Sequence, residues 1–186
     1  MDGKTRLLKT FAHEPVDKVV WVPFAGIHAG KLKGYPADEL LTNGEKLFES
    51  LMEVNRLYSP DGQPVLFDLQ IEAEILGCGM KWSKKTPPSV SSHPLELEGA
   101  DYLLPAKIPE RTDGRLPLVL DVMKRMKEAV GESTALFGLV TGPLTLASHL
   151  RGTKLFFDML RHKEKSQKLF SYCVTVAKAM ISYYIE

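Results

Sequence analysis

The chain has 186 residues, 44% of them hydrophobic and 25% charged, with a formal net charge of +1. That is ordinary globular composition, long enough for one full core, and the interspersed charges leave no chain-wide footprint for nucleic acid or an anionic membrane. Two cysteines, Cys78 and Cys173, supply neither a disulfide framework nor a Cys-x-x-Cys knuckle. The charged start from Met1 to Thr10 lacks the apolar core of a signal peptide, and no apolar run reaches bilayer length, so a cytoplasmic location is expected.

In chain order, Thr5 to Ala12 reads as a short amphipathic helix with Leu7, Leu8 and Phe11 on one side. Val16 to Phe24 is continuously apolar through V-V-W-V-P-F and predicts a buried strand of parallel type, ended by Pro23. Gly26, Gly30 and Gly34 then mark a loop from Ala25 to Tyr35 that carries His28, Lys31 and Lys33. With Phe24 at the strand's exit, His28 is a candidate substrate contact. Neither G-x-G-x-x-G nor G-K-[ST] occurs here, so no phosphate fingerprint follows the strand.

Asn43 can cap a helix running to about Leu57, with Leu47, Phe48, Leu51, Met52 and Val54 inward. Ser59-Pro60-Asp61-Gly62 stops it, and Pro64 to Phe67 predicts a second strand with Asp68 at its carboxyl end. Asp68 can either act in chemistry or cap a helix from Gln70 to Leu76. Cys78 to Ser83 and Pro88 to Ser92 predict a small hairpin, His93 to Arg115 an irregular excursion, and Pro117 to Val130 an amphipathic helix closed by Gly131.

Ala135 to Val140 is the third apolar run, bounded by Gly131 and by Thr141-Gly142-Pro143. Thr141 or Gly142 can cap the helix that follows, Pro143 suits its first position, and Leu144, Leu146, Ala147 and Leu150 form its apolar face. Strand, tight turn and helix make the unit of an α/β fold, whose ligands bind beyond the carboxyl ends of the strands. Thr141, Gly142, Thr145 and His149 lie there. Helices from Lys154 to Leu160 and from about Lys163 onward complete the reading. Three strands in an open sheet leave two apolar edges, so the chain is expected to be a single domain, residues 1–186, forming the front part of a larger α/β protein. A complete (β/α)₈ barrel takes roughly 250 residues.

Four blocks in this order carry a resemblance: T-R-L-L-K-T-F-A-H-E-P-V-D-K-V-V-W-V-P from Thr5, L-F-D-L-Q-I-E-A-E-I-L-G-C from Leu66, P-S-V-S-S-H-P-L from Pro88, and T-G-P-L-T-L-A-S-H-L from Thr141. The chain resembles the N-terminal half of the uroporphyrinogen decarboxylase superfamily, which also holds corrinoid-linked methylcobamide:coenzyme M methyltransferases. The resemblance implies a TIM barrel with its site at the carboxyl ends of the strands. It matches Asp68 to the aspartate of the decarboxylase site and sets His149 at or beside a decarboxylase tyrosine. Decarboxylases resemble one another in an arginine-bearing motif after the first strand, suited to clamping carboxylates. Here that stretch is F-A-G-I-H-A-G-K-L-K-G, without arginine, which points to the methyltransferase branch.

In that branch the resemblance implies a corrinoid methyl donor and a zinc ion, held by His-x-Cys and a later cysteine, that activates an acceptor thiol. No His-x-Cys occurs in this sequence, so no metal ligand and no cofactor is assigned within the chain, and the chain alone is expected to be inactive. The expected partners are a corrinoid protein and a small thiol, or a tetrapyrrole, with homodimerisation possible and neither nucleic acid nor membrane. Uroporphyrinogen decarboxylation is one alternative function. A non-catalytic docking module that pairs through an open sheet edge is the other.

Overall fold

The computed structural model describes residues 1–96 and 102–185, which gather into two compact units. Of the described residues, the first holds 1–68, 83–87 and 118–139; the second holds 69–82, 88–96, 102–117 and 140–185.

The first unit begins with helix α1 (Gly3–Phe11), capped by Asp2, whose side chain accepts from the Thr5 N–H. Only Arg6 and Leu7 are buried on it, whereas Leu8 and Phe11 face outward. The expected apolar side is thus displaced, because α1 is held by polar groups. Arg6 forms an ion pair with buried Asp61 and with Asp17, and its guanidinium holds the Asp17 carboxyl well below the usual carboxylate range.

Val16 to Phe24 is not a strand. Asp61 explains why: its carboxylate accepts the Trp21 N–H at 2.8 Å, while its own N–H donates to Trp21 O at 2.9 Å. A side chain thus takes the place of a ladder carbonyl, Pro23 offers no N–H, and Val19 is left 88% exposed.

The glycine stretch is not a loop throughout but forms helix α2 (His28–Lys33), ended by Gly34 at φ +77°. Gly30 sits where a Cβ would come within 2.9 Å of Leu40 and 3.0 Å of Tyr35 O, so the close fit to helix α3 (Ala37–Thr42) requires glycine. Helix α4 (Gly44–Tyr58) follows, and Asn43 caps it by accepting from Lys46 N–H at 3.1 Å. Leu47, Leu51 and Val54 are buried as expected. Strand β1 covers Gly62–Pro64, earlier than the expected run from Pro64 to Phe67.

Helix α6 (Leu116–Val130) buries Val119, Val122 and Met126, and strand β4 covers Ala135–Phe137. β1 and β4 pair in parallel, Gly62 opposite Ala135 and Pro64 opposite Phe137, and Val65 N–H extends the ladder to Phe137 O. This short parallel pair is the described core of the sheet that the three apolar runs predict.

The second unit contains helix α5 (Ile71–Ile75), the antiparallel hairpin β2 (Gly79–Lys81) with β3 (Ser89–Ser92), and helices α7 (Pro143–Arg151), α8 (Lys154–Arg161) and α9 (Lys163–Ile185). The hairpin follows expectation. α7 buries Leu146, Ala147 and Leu150 but leaves Leu144 53% exposed. α9 packs on α7 and α8 with Leu169, Cys173, Val176 and Met180, a stripe at three- and four-residue spacing. Between α7 and α8, Arg151 is buried against Asp158, with its Nε 2.7 Å from Oδ2, and also bonds Leu95 O. Its guanidinium lies 4.4 Å from the centre of the buried Tyr102 ring.

Candidate functional site

The candidate residues divide between the two units. In the first, Phe24 is 55% exposed and meets Phe67 edge to face, with ring centres 5.5 Å apart. Gly26, at φ +52°, turns the chain beside Phe67, where a Cβ would lie 3.5 Å from the ring. His28, at the start of α2, stacks on Tyr58 and places Nε2 2.8 Å from its hydroxyl, while Trp21 meets the same ring at 6.1 Å. The result is an exposed aromatic surface beside the His28 imidazole. Asp68 is 4% exposed and follows β1 by four residues. It does not cap α5: the N-cap position falls on Gln70.

In the second unit, Thr141 is buried and fully engaged. Its N–H donates to Glu72 Oε1 at 2.7 Å, and its hydroxyl lies 2.8 Å from both Glu72 Oε2 and Leu69 O. Thr141 is therefore a structural anchor for the turn. Gly142, not Thr141, occupies the N-cap of α7, with extended backbone and open space around it. Thr145 and His149 stand four residues apart on one face of α7, Thr145 exposed and His149 half-buried.

Burial, and then the neighbouring His93, push the His149 imidazole below its ordinary pKa, favouring the neutral ring. Its Nδ1 is buried without a hydrogen bond among the described residues. The His149 carbonyl accepts from His93 Nδ1 at 2.7 Å and from Cys78 Sγ at 3.2 Å. Since a carbonyl only accepts, His93 Nδ1 carries a proton there.

The structure therefore brings together Thr141 with Glu72, and His149 with His93 and Cys78. Glu72 and His93 were not singled out from sequence. Glu72 had a signal, a carboxylate between Ile71 and Ala73 on a short apolar helix, where a charge needs partners; its partner, 69 residues away, had none.

Among the described residues, no three histidines, cysteines or carboxylates group as metal ligands would. Burial also pushes the Cys78 and Cys173 thiols up to about 12, which disfavours the thiolate a metal takes. These residues do not fit a zinc ion.

Fold and sequence converge on one class. Residues 2–186 match the model of the uroporphyrinogen decarboxylase (URO-D) family, and the chain belongs to that family. The methylcobamide:CoM methyltransferase MtbA of Methanosarcina acetivorans is 29% identical over 96% of this chain and 54% of its own length. MtaA of Methanosarcina barkeri is 33% identical over 97% of this chain and 53% of its own. A uroporphyrinogen decarboxylase from Wolbachia matches at 24% identity over 80% of the chain. A methyltransferase from Methanosarcina mazei superimposes with TM-score 0.83 and 26% identity, covering 98% of this chain and 56% of that one. The chain is thus α/β, with the fold of the N-terminal portion of a TIM barrel, and spans about half the length of the relatives it matches.

Proposed function

We propose that this chain serves corrinoid-dependent methyl transfer to a thiol acceptor. The observation that carries the reading is the match to methylcobamide:CoM methyltransferases along nearly the whole chain, longer and at higher identity than the match to the decarboxylase. The absence of arginine between Phe24 and Gly34 supports it, because a multiply anionic tetrapyrrole calls for guanidinium partners.

The corrinoid supplies an electrophilic methyl group bonded to cobalt. The acceptor thiol must lose its proton before its sulfur forms the new bond to carbon. In the second unit His149, kept neutral by burial, is suited to take that proton. In the first unit Asp68, buried just past β1, is the candidate catalytic carboxylate. Within the first unit Phe24 and His28 offer an aromatic and polar contact surface; within the second, taken by itself, Gly142 leaves room at the start of α7. Zinc, which the family implies, finds no set of ligands among the described residues, so no step is assigned to it here. Uroporphyrinogen decarboxylation is the second reading, favoured only by the family match.

The test supplies methylcobalamin, coenzyme M and zinc, reads methylated thiol, and measures uroporphyrinogen decarboxylation in parallel. Methylated thiol, falling at least about tenfold in Asp68→Asn and His149→Gln, supports the proposal. Decarboxylation without thiol methylation assigns the protein to the other branch. Turnover by residues 1–186 alone would refute the expectation that this chain is inactive by itself.

A further inference from the structure

The chain's near-zero net charge conceals a dense cationic segment where α8 meets α9. α8 buries Leu155 and Asp158, yet Phe156, Phe157 and Leu160 stand 56%, 64% and 77% exposed on its other side. Directly after them come Arg161, His162, Lys163, Lys165 and Lys168, accompanied by one exposed carboxylate, Glu164. Asp158, the other acid of the segment, is buried on Arg151. None of Arg161, Lys163, Lys165 and Lys168 is ion-paired among the described residues. Lys165 instead lies 5.0 Å over the Tyr102 ring. Leu160 and the side chains from Arg161 to Lys165, with Lys168, line a surface cavity of about 570 Å³.

We propose that the α8–α9 corner docks on an anionic phospholipid surface, with Phe156, Phe157 and Leu160 entering the headgroup boundary and the cations lying among the lipid phosphates. Charge complementarity selects the occupant. Protein interfaces deplete lysine, whereas helices that lie on membranes pair Phe and Leu on one side with Lys and Arg on the other. Here the apolar side chains protrude from α8 and the cations, without ion pairs among the described residues, follow at its end and at the start of α9, so the corner combines the two side-chain types of the second pattern. Each cation near an anionic leaflet adds attraction that salt screens, so the association is reversible and salt-sensitive. The docking requires no spanning segment, and no described helix is long and apolar enough to cross a membrane.

The experiment is co-sedimentation of the protein with vesicles of phosphatidylglycerol and phosphatidylcholine in equal parts, against phosphatidylcholine alone. The expected result is at least about tenfold more binding to the anionic vesicles, lost at about 0.5 M salt. The double variants Lys163→Glu/Lys168→Glu and Phe156→Ser/Leu160→Ser change exposed side chains only, so both keep the wild-type circular dichroism, and each loses at least about fivefold of the binding. Equal binding to both vesicle types, or no binding, overturns the proposal. So does binding that the charge variant abolishes and the apolar variant leaves intact, since that is counterion attraction without docking. Self-association without lipid in sedimentation, removed by Phe156→Ser/Leu160→Ser, would give the face to a second copy of the chain and also overturn it.

Discussion

Glu72 holds Thr141 by two atoms at once, with Oε1 2.7 Å from the backbone N–H and Oε2 2.8 Å from the hydroxyl. The carboxylate is 2% exposed and the threonine 1%, so neither group can exchange its partner for water. Thr141→Val keeps the shape and removes the hydroxyl, whose single proton is shared between Glu72 Oε2 and the Leu69 carbonyl. A loss of about 2 kcal/mol is expected, read as a lower urea midpoint at unchanged slope. A variant as stable as the wild type would mean that water reaches the clamp.

Asp158 faces Arg151 with side chains 6% and 2% exposed. Asp158→Ala takes from the buried Arg151 guanidinium its carboxylate partner at 2.7 Å, so it should cost roughly 3 kcal/mol. Replacing both, as Arg151→Met with Asp158→Leu, should cost less than Asp158→Ala alone, because both charges of the pair are then removed together. The comparison needs equilibrium unfolding of both variants at neutral pH.

The His149 pKa lies below its ordinary value in the folded chain, first through burial and then through His93. Unfolded, the ring binds its proton near pH ~6.5, so below that value the unfolded state takes up more protons than the folded one. The stability due to the neutral ring is complete above about pH 6.5 and is lost as the pH falls through the lower folded value. Urea midpoints measured from pH 7.5 down to pH 5 should therefore decline, and His149→Gln should flatten that decline.

Gly3 opens α1 where a Cβ would come within 2.5 Å of the Asp61 Cα and 3.0 Å of its carbonyl oxygen. Alanine is the better helix former by about 1 kcal/mol, yet the obstacle is backbone and cannot rotate away. Gly3→Ala should therefore destabilise, by about 1–3 kcal/mol, and a thermal melt gives the sign directly. A raised melting temperature would show that propensity outweighs the contact.

Helices were the most legible part of the chain. Asn43 before α4, Pro143 at the start of α7 and Gly131 after α6 are local signals, and each stands where the periodicity places it. Strands were less legible. Val16 to Phe24 has the composition of a buried strand, but strand formation depends on a continuous ladder with a neighbouring backbone, and the Asp61 carboxylate accepts the Trp21 N–H where a ladder carbonyl would. The glycine stretch misled for a similar reason, since Gly30 serves the approach of Leu40 and Tyr35 rather than a loop. Of the candidate site, the residues could be named from sequence, whereas Glu72 and His93 emerged only with their distant partners.

By itself the sequence determined the helices and their caps, the order of the apolar runs and the family to which they belong, because these reside in short-range spacing and in residue identity. Only the tertiary structure decided that Thr141 is an anchor, that His149 is held neutral beside His93, and that the cations after Leu160 stand near exposed aromatic rings without an ion pair among the described residues. Those properties depend on burial and on partners far apart along the chain. An average over composition, such as a net charge of +1, cannot carry them.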